Sequence, residues 1–269
     1  VITHGNGPQV GLLALQAAAY DGVPPYPLDI LGAESEGMIG YLLDQALANA
    51  LPGRHVASLL TQVVVDPDDP AFARPTKPIG PVYGREQAQR LAAERGFSVA
   101  RDGNSWRRVV PSPEPRRIVE IESIRLLLQA GVIVICVGGG GVPVRLDDDG
   151  AMQGVEAVID KDLAAAMLAT QLAADTLLLL TDVPNVEVGW GTPAARALTA
   201  ASPRELRSLE LAQGSMGPKA EAAARFAEQG GRAVICALDA AAEALAGRAG
   251  TSVEAGFAAD GDDLARHGG

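Results

Sequence analysis

Five short, nearly unbroken apolar runs punctuate the chain: Val1–Thr3, Val56–Val65, Val132–Val137, Thr176–Thr181 and Arg232–Ala237. Runs this short and continuous predict strands buried on both faces, as in a parallel sheet. Between them, apolar residues recur at helical spacing, which predicts helices over Gln9–Tyr20, Glu34–Ala50, Val119–Ala130, Leu163–Ala173 and Pro218–Gln229. Strands alternating with helices predict βαβ units and a sheet covered on both faces, an α/β fold. In such sheets ligands gather beyond the carboxyl ends of the strands, so the loops leaving those strands are where chemistry is expected.

Two segments interrupt the alternation. Residues 66–117 hold eight of the 18 prolines and a cluster of arginines. That is too long for a plain connection and is read as a protruding lid subdomain. Residues 142–155, with Asp147-Asp148-Asp149-Gly150 at their middle, are read as a hairpin turned at Asp-Gly. The Gly-, Ala- and Asp-rich segment 252–269 is expected to be a disordered tail. One domain over 1–251 is expected.

Composition narrows the chemistry. Hydrophobic residues make up 48% and aromatics 4% of the 269 residues, so the core is built from Ala, Leu and Val. A net charge of −11 opposes binding to nucleic acid or to an anionic membrane. It leaves ATP open, because a local cluster of cations can oppose the global sign. Cys136 and Cys236 lie in apolar runs and are expected to be buried, reduced thiols. No Cys/His group has zinc-site spacing. No apolar run reaches the roughly 18 residues of a membrane helix, and no signal peptide is visible. The expectation is a cytoplasmic protein.

The loops after the strands carry the candidate chemistry. His4-Gly5-Asn6-Gly7-Pro8-Gln9 is a glycine loop opening a helix, a ready anion site, although a tight turn without a ligand fits equally. Four successive glycines, Gly138 to Gly141, favour close backbone approach to a ligand or to another strand. Asp160-Lys161-Asp162 precedes an apolar helix, with Asp160 placed to cap it and Lys161 readable as a solvated pair with its neighbours. Thr181-Asp182-Val183-Pro184 leaves the leucine strand, suited to ribose or phosphate contacts or to a capped turn. Gly214-Ser215-Met216-Gly217-Pro218-Lys219 opens a helix with a lysine on its first turn, unfavourable for the helix dipole unless an anion joins it. It is not a P-loop, because G-x-x-x-x-G-K-[ST] is absent from the chain.

Lysine usage sharpens this. Of 22 basic residues only three are lysine: Lys77, Lys161 and Lys219. Ordinary surface cations here are arginine. Lysine persists only in Pro-Thr-Lys77-Pro, Asp-Lys161-Asp and Gly-Pro-Lys219 contexts. An ammonium is a compact point charge that can follow a moving phosphoryl group, whereas guanidinium is a wide planar fork.

Taken together, His4-Gly5-Asn6-Gly7-Pro8-Gln9-Val10-Gly11, Leu31-Gly32-Ala33-Glu34-Ser35-Glu36-Gly37, Pro75-Thr76-Lys77-Pro78-Ile79-Gly80, Gly138 to Pro143, Val158-Ile159-Asp160-Lys161-Asp162 and Gly214 to Lys219 resemble the motifs of carbamate kinases, in the amino acid kinase superfamily. The resemblance runs in order from Val1 to Thr251. It implies a homodimer whose fold is a three-layer α/β sandwich, with an open, mainly parallel sheet between helices and a protruding lid. It also implies the reaction ATP + carbamate ⇌ ADP + carbamoyl phosphate with Mg²⁺, running toward ATP in cells. By the same resemblance Gly5, Asn6 and Gly7, with His4, Gly139 and Gly140, hold the acceptor or the transferring phosphoryl group. Lys161 and Lys219 flank that group, and Asp162 orients them. Lys77 reaches the acceptor from the lid. Asp160, Thr181, Asp182, Ser215, Met216 and Gly217 lie along the nucleotide. No protein metal ligand is expected.

The chain departs from the family pattern in three places. Family members begin with a strand and a Gly-Gly-Asn-Ala loop, so an N-terminal truncation is expected before Val1. Val183-Pro184-Asn185-Val186-Glu187 differs from the family's Val-Asp-x-Val-Tyr, and the tail after Ser252 is unlike the family. Two other readings are a kinase of this fold with another small carboxylate acceptor, and a non-catalytic chain that binds nucleotide or dimerises.

Overall fold

The computed structural model describes residues 1–20, 22–211 and 215–257. The chain divides into two compact units, Val1–Leu168 and Ala169–Gly269.

The first unit opens with helices α1 (Gly7–Ala17) and α2 (Leu28–Ala50), followed by β1 (Val56–Ser58) and β2 (Gln62–Val65). Next come β3 (Lys77–Tyr83), α3 (Arg85–Arg95), β4 (Ser98–Asp102), β5 (Ser105–Val110), β6 (Pro115–Ile118) and α4 (Ile121–Gln129). The unit continues through β7 (Ile133–Ile135), β8 (Val142–Leu146) and β9 (Met152–Gly154) into α5 (Lys161–Gln171).

Its central pairings are parallel, as the alternation predicts. β1 aligns with β7, Ala57 opposite Val134, and Ile2 joins β7 through a parallel bridge to Ile135. β2 aligns with β8, Val63 opposite Pro143. Val1–Thr3 therefore contributes one bridge residue where a strand is expected, and the run Val56–Val65 is two strands. The break falls where the chain changes partner. The Leu59 N–H still reaches the Ile135 carbonyl at 2.9 Å, whereas the Thr61 carbonyl takes the Val142 N–H at 2.8 Å. Buried Thr61 stitches this break: its hydroxyl donates to the Leu59 carbonyl and accepts from the Val137 N–H, each at 3.0 Å.

β8 and β9 form the hairpin expected over 142–155, with Val144 opposite Gly154. Its turn is held by the Asp147 carboxylate, which accepts the N–H groups of Asp149 (3.1 Å) and Ala151 (2.8 Å).

Within 66–117, β3, β5 and β4 make a separate three-stranded antiparallel sheet carrying α3. β3 lies directly on α1. A Cβ at Gly11 would stand 2.1 Å from the Gly80 Cα, so the two backbones touch there and no side chain fits. Val10, Leu28, Leu31, Ile79 and Val110 form the apolar cluster that joins α1, α2, β3 and β5.

α2 starts at Leu28, well before the expected Glu34. Pro27 at its N-cap offers no side-chain cap, and the Leu28 N–H is taken instead by Glu156 Oε2 at 2.8 Å. A cap supplied from so far along the chain leaves no local sequence signal.

The second unit contains β10 (Thr176–Thr181), β11 (Glu187–Val188), β12 (Arg196–Ala197), β13 (Ala200–Ala201), α6 (Pro203–Ser208), α7 (Met216–Glu228), β14 (Arg232–Ala237), α8 (Ala241–Leu245) and β15 (Thr251–Val253). β10 and β14 are parallel, Leu179 opposite Ile235, with the boundaries expected from their apolar runs. β15 pairs antiparallel with β14. Ser252 and Val253 thus belong to the sheet, which corrects the disordered tail expected from 252; residues 258–269 lie outside the described residues. α7 packs on β14 and β10. Its buried face is Ala220, Ala222, Ala223, Ala224 and Ala227 with Phe226, and small side chains let the helix approach the sheet closely.

Candidate active site

In the first unit the chain leaves the Ile2 bridge, turns through His4–Gly7 and enters α1. Asn6 is the N-cap residue by position, but its side chain makes no cap bond. Its Nδ2 donates instead to Ser35 Oγ on α2 at 2.9 Å, and Ser35 donates to the Gly32 carbonyl at 2.9 Å. The backbone of this loop is tied to the second glycine turn, because the Gly139 N–H donates to the His4 carbonyl at 2.7 Å. Side chains close the same contact: a Cβ at Gly138 would meet the His4 ring at 2.3 Å, and one at Gly139 would meet the Asn6 amide at 2.2 Å. His4 Nδ1 donates to the Gly5 carbonyl at 3.2 Å. Burial holds the His4 pKa below its ordinary value, against the opposing effect of that bond. The imidazole is accordingly neutral near pH 7 and serves as packing for the turn rather than as a cation.

The second glycine turn is conformationally demanding. Val137 has φ 54°, and Gly140 has φ 100°. A positive φ at a β-branched residue is costly and persists only where the surroundings impose it. Thr61 holds the Val137 N–H. Glu36, 2% exposed on α2, holds the next amide: Oε1 accepts the Gly138 N–H at 2.9 Å and Oε2 the Thr61 N–H at 3.3 Å. Burial pushes the Glu36 pKa up to about 7, although the bonds from Thr61 and Gly138 favour its charged form. Burial, reinforced by the charges of Glu36 and Glu120, pushes the Cys136 thiol up to about 12.

Glu36 and Thr61 are site-shaping residues absent from the sequence candidates. A signal for Glu36 existed: Leu28, Leu31, Ser35 and Glu36 share one helical face, and a carboxylate on a buried face needs partners.

The two lysines of this unit meet adjacent carboxylates. Lys77, at the start of β3, pairs with Asp160 Oδ2. Lys161, the first residue of α5, contacts both Asp162 oxygens at 2.9 Å. Asp160 also caps α5, its Oδ1 accepting the N–H groups of Asp162 (2.9 Å) and Leu163 (3.2 Å). Burial opposes the Asp160 charge, but Lys77 and these amides outweigh it and hold the pKa below the usual carboxylate range. The Lys161 stem passes over Gly5, where a Cβ would lie 3.1 Å from its Cδ. At Gly7 an added Cβ would meet nothing within 4 Å. The first unit thus gathers His4, Gly5, Asn6, Gly139, Gly140, Lys77, Asp160, Lys161 and Asp162. Asp160, expected along the nucleotide, is engaged with Lys77.

In the second unit, Thr181 ends β10 and its hydroxyl donates to the Asp182 carboxylate at 3.1 Å. Met216 and Gly217 form the first turn of α7 after exposed Ser215, and Lys219 follows, buried. Gly214 lies outside the described residues. Since α7 packs on β10, these candidates share one unit. Among the described residues no group of three His, Cys, Asp or Glu side chains is arranged to hold a metal.

Comparison with known proteins identifies the family. The profile of the amino acid kinase family matches residues 1–237. The chain is 56% identical over 255 residues to a carbamate kinase of Haemophilus influenzae, covering 94% of this chain and 82% of that protein. The solved carbamate kinase from Giardia lamblia bound to citric acid superposes with a TM-score of 0.88 at 42% identity, over 94% of this chain and 84% of that one. The Giardia enzyme bound to AMP-PNP gives a TM-score of 0.83 at 42% identity, over 94% and 83% of the two chains.

Proposed function

The chain belongs to the amino acid kinase family, among its carbamate kinases, and from this we propose that it catalyses ATP + carbamate ⇌ ADP + carbamoyl phosphate, running toward ATP in the cell. The observation that carries the reading is the meeting of Lys77 and Lys161 with Asp160 and Asp162 beside the Gly5 backbone. Phosphoryl transfer needs positioned reactants and cations that follow a spreading negative charge, with no covalent nucleophile.

In this reading the backbone N–H groups of Gly5, Asn6 and Gly7 hold the transferring group, within a wall shaped by His4, Gly139 and Gly140. Lys161 flanks it, with Asp162 orienting that lysine. Lys77 engages the acceptor, and residues 66–117 form the lid that carries it. Thr181, Asp182, Ser215, Met216 and Gly217 lie along the nucleotide. A kinase using ATP works with a divalent cation, here taken as Mg²⁺. Asp160 and Asp162 are already committed to lysines, so the cation's ligands would be phosphate oxygens and water. The exposed apolar stripe Ile30, Met38, Tyr41 and Leu42 on α2 supports a homodimer. Buried, unbridged Cys136 and Cys236 suit the cytoplasm.

Coupled detection of ATP from ADP and carbamoyl phosphate tests the reaction. Carbamoyl phosphate is expected to exceed acetyl phosphate as donor, and preference for the latter would sink the substrate assignment. Lys161→Arg keeps the charge but not its compact shape, and should lower kcat about a hundredfold. A near-normal rate would remove Lys161 from the mechanism.

A further inference from the structure

We propose that Asp160 is a positioning residue that places Lys77 beside the head of α5 and yields it to the anionic acceptor; this deepens the reaction proposed above and rests on it. Three observations converge. Asp160 is 6% exposed and divides its two oxygens between two elements. Oδ1 is committed to the amides that start α5, at 2.9 and 3.2 Å, while Oδ2 receives the Lys77 ammonium from β3. The residue is therefore fixed in place by the helix, whatever Lys77 does.

The second observation is the asymmetry of the pair. The Lys77 side chain is 32% exposed and that of Asp160 is 9% exposed. In such a pair the lysine, on its flexible stem, is the partner free to exchange.

The third is local charge. Two ammonium groups, Lys77 and Lys161, are each paired with a carboxylate, Asp160 and Asp162, before substrate arrives. Carbamate and carbamoyl phosphate are anions. To use Lys77 they must take over donor bonds now given to Oδ2. Asp160 thus stands in for the acceptor: it keeps Lys77 in reach and then competes with the acceptor for it. Removing its charge should release Lys77 to the substrate and also leave it poorly placed for transfer.

Because the chain has only three lysines, lysine labelled with ¹³C at Cε gives one side-chain signal each for Lys77, Lys161 and Lys219. Asp160→Asn keeps an oxygen for the α5 amides, since Asn is as good a cap as Asp. It should shift the Lys77 signal before any substrate is added. It should also lower the KM for carbamoyl phosphate about fivefold and kcat about tenfold, with the KM for ADP unchanged. Asp160→Ser, a cap too short to reach Lys77, should do the same. Combined with Lys77→Met, either change should cost no more kcat/KM than Lys77→Met alone. In the wild type, inorganic phosphate should move the Lys77 signal.

A Lys77 signal indifferent both to Asp160→Asn and to phosphate overturns the proposal, as do effects that add to those of Lys77→Met. If the wild type makes no ATP from carbamoyl phosphate, the reaction assignment fails. The Lys77 signals then still decide whether Asp160 holds that lysine.

Discussion

The two glycine turns of the first unit look alike as sequence and differ in what their missing side chains make room for. At Gly138 to Gly141 the space is filled by the protein itself: a Cβ would meet His4, Asn6, the Ile159 carbonyl and Val63, each closer than 3.0 Å. At Gly5 and Gly7 it is not. The neighbour of Gly5 is the flexible Lys161 stem, and Gly7 faces open space. Glycine serves packing in one turn and leaves backbone amides approachable in the other. The contrast leaves Gly5 and Gly7 approachable and Gly138–Gly141 packed by the protein itself, which the four-glycine run alone left undecided.

The largest expected effect breaks the scaffold. Gly140→Ala places a methyl 2.5 Å from the Ile159 carbonyl at φ 100°, and should cost about 3 kcal/mol in chemical denaturation. A loss near zero would mean the turn is not the rigid partner.

The next tests its support. The Glu36 pKa is about 7 in the folded protein against an ordinary 4.5, so the folded state binds more protons between those values. Its contribution is complete below the ordinary value and is lost as pH rises through the folded one. The stability of the wild type minus that of Glu36→Gln should therefore fall by about 3 kcal/mol between these pH values and level off above them. A flat difference across denaturation curves in a pH series would place the proton elsewhere.

The smallest sharpens the ligand side. Gly7→Ala, at the first residue of α1, should leave stability within about 1 kcal/mol, since Ala favours helix and meets no neighbour. Its methyl should obstruct anion approach and lower kcat/KM about tenfold. Unchanged turnover would move the phosphoryl group away from this loop.

Legibility from sequence followed the reach of the interactions. β10 and β14 could be read because each is a continuous apolar run that pairs with the other along its whole length. The split of Val56–Val65 could not, because Thr61 changes partner through bonds to residues near 137 and 142. The start of α2 was hidden for the same reason, its cap being Glu156. Among site residues, the lysines were conspicuous through scarcity, and Asp160 and Asp162 by adjacency to Lys161. The pairing of Asp160 with Lys77 joins residues 83 positions apart and was invisible. Glu36 sat inside a quoted motif, yet its bonds run to backbone amides, which carry no side-chain signature.

The contact between Gly11 and Gly80 has a mechanical consequence. Two backbones that touch act as a fulcrum, and Lys77 sits three residues along β3 from it, a lever arm of roughly 10 Å. A tilt of β3 by about 10° on that bearing would carry the Lys77 Cα by about 1.7 Å, more than half the length of a hydrogen bond. Any side chain at Gly11 would move the pivot and with it the reach of the lysine. One hydrogen atom in place of a side chain at Gly11 thereby sets the aim of an ammonium group several residues away.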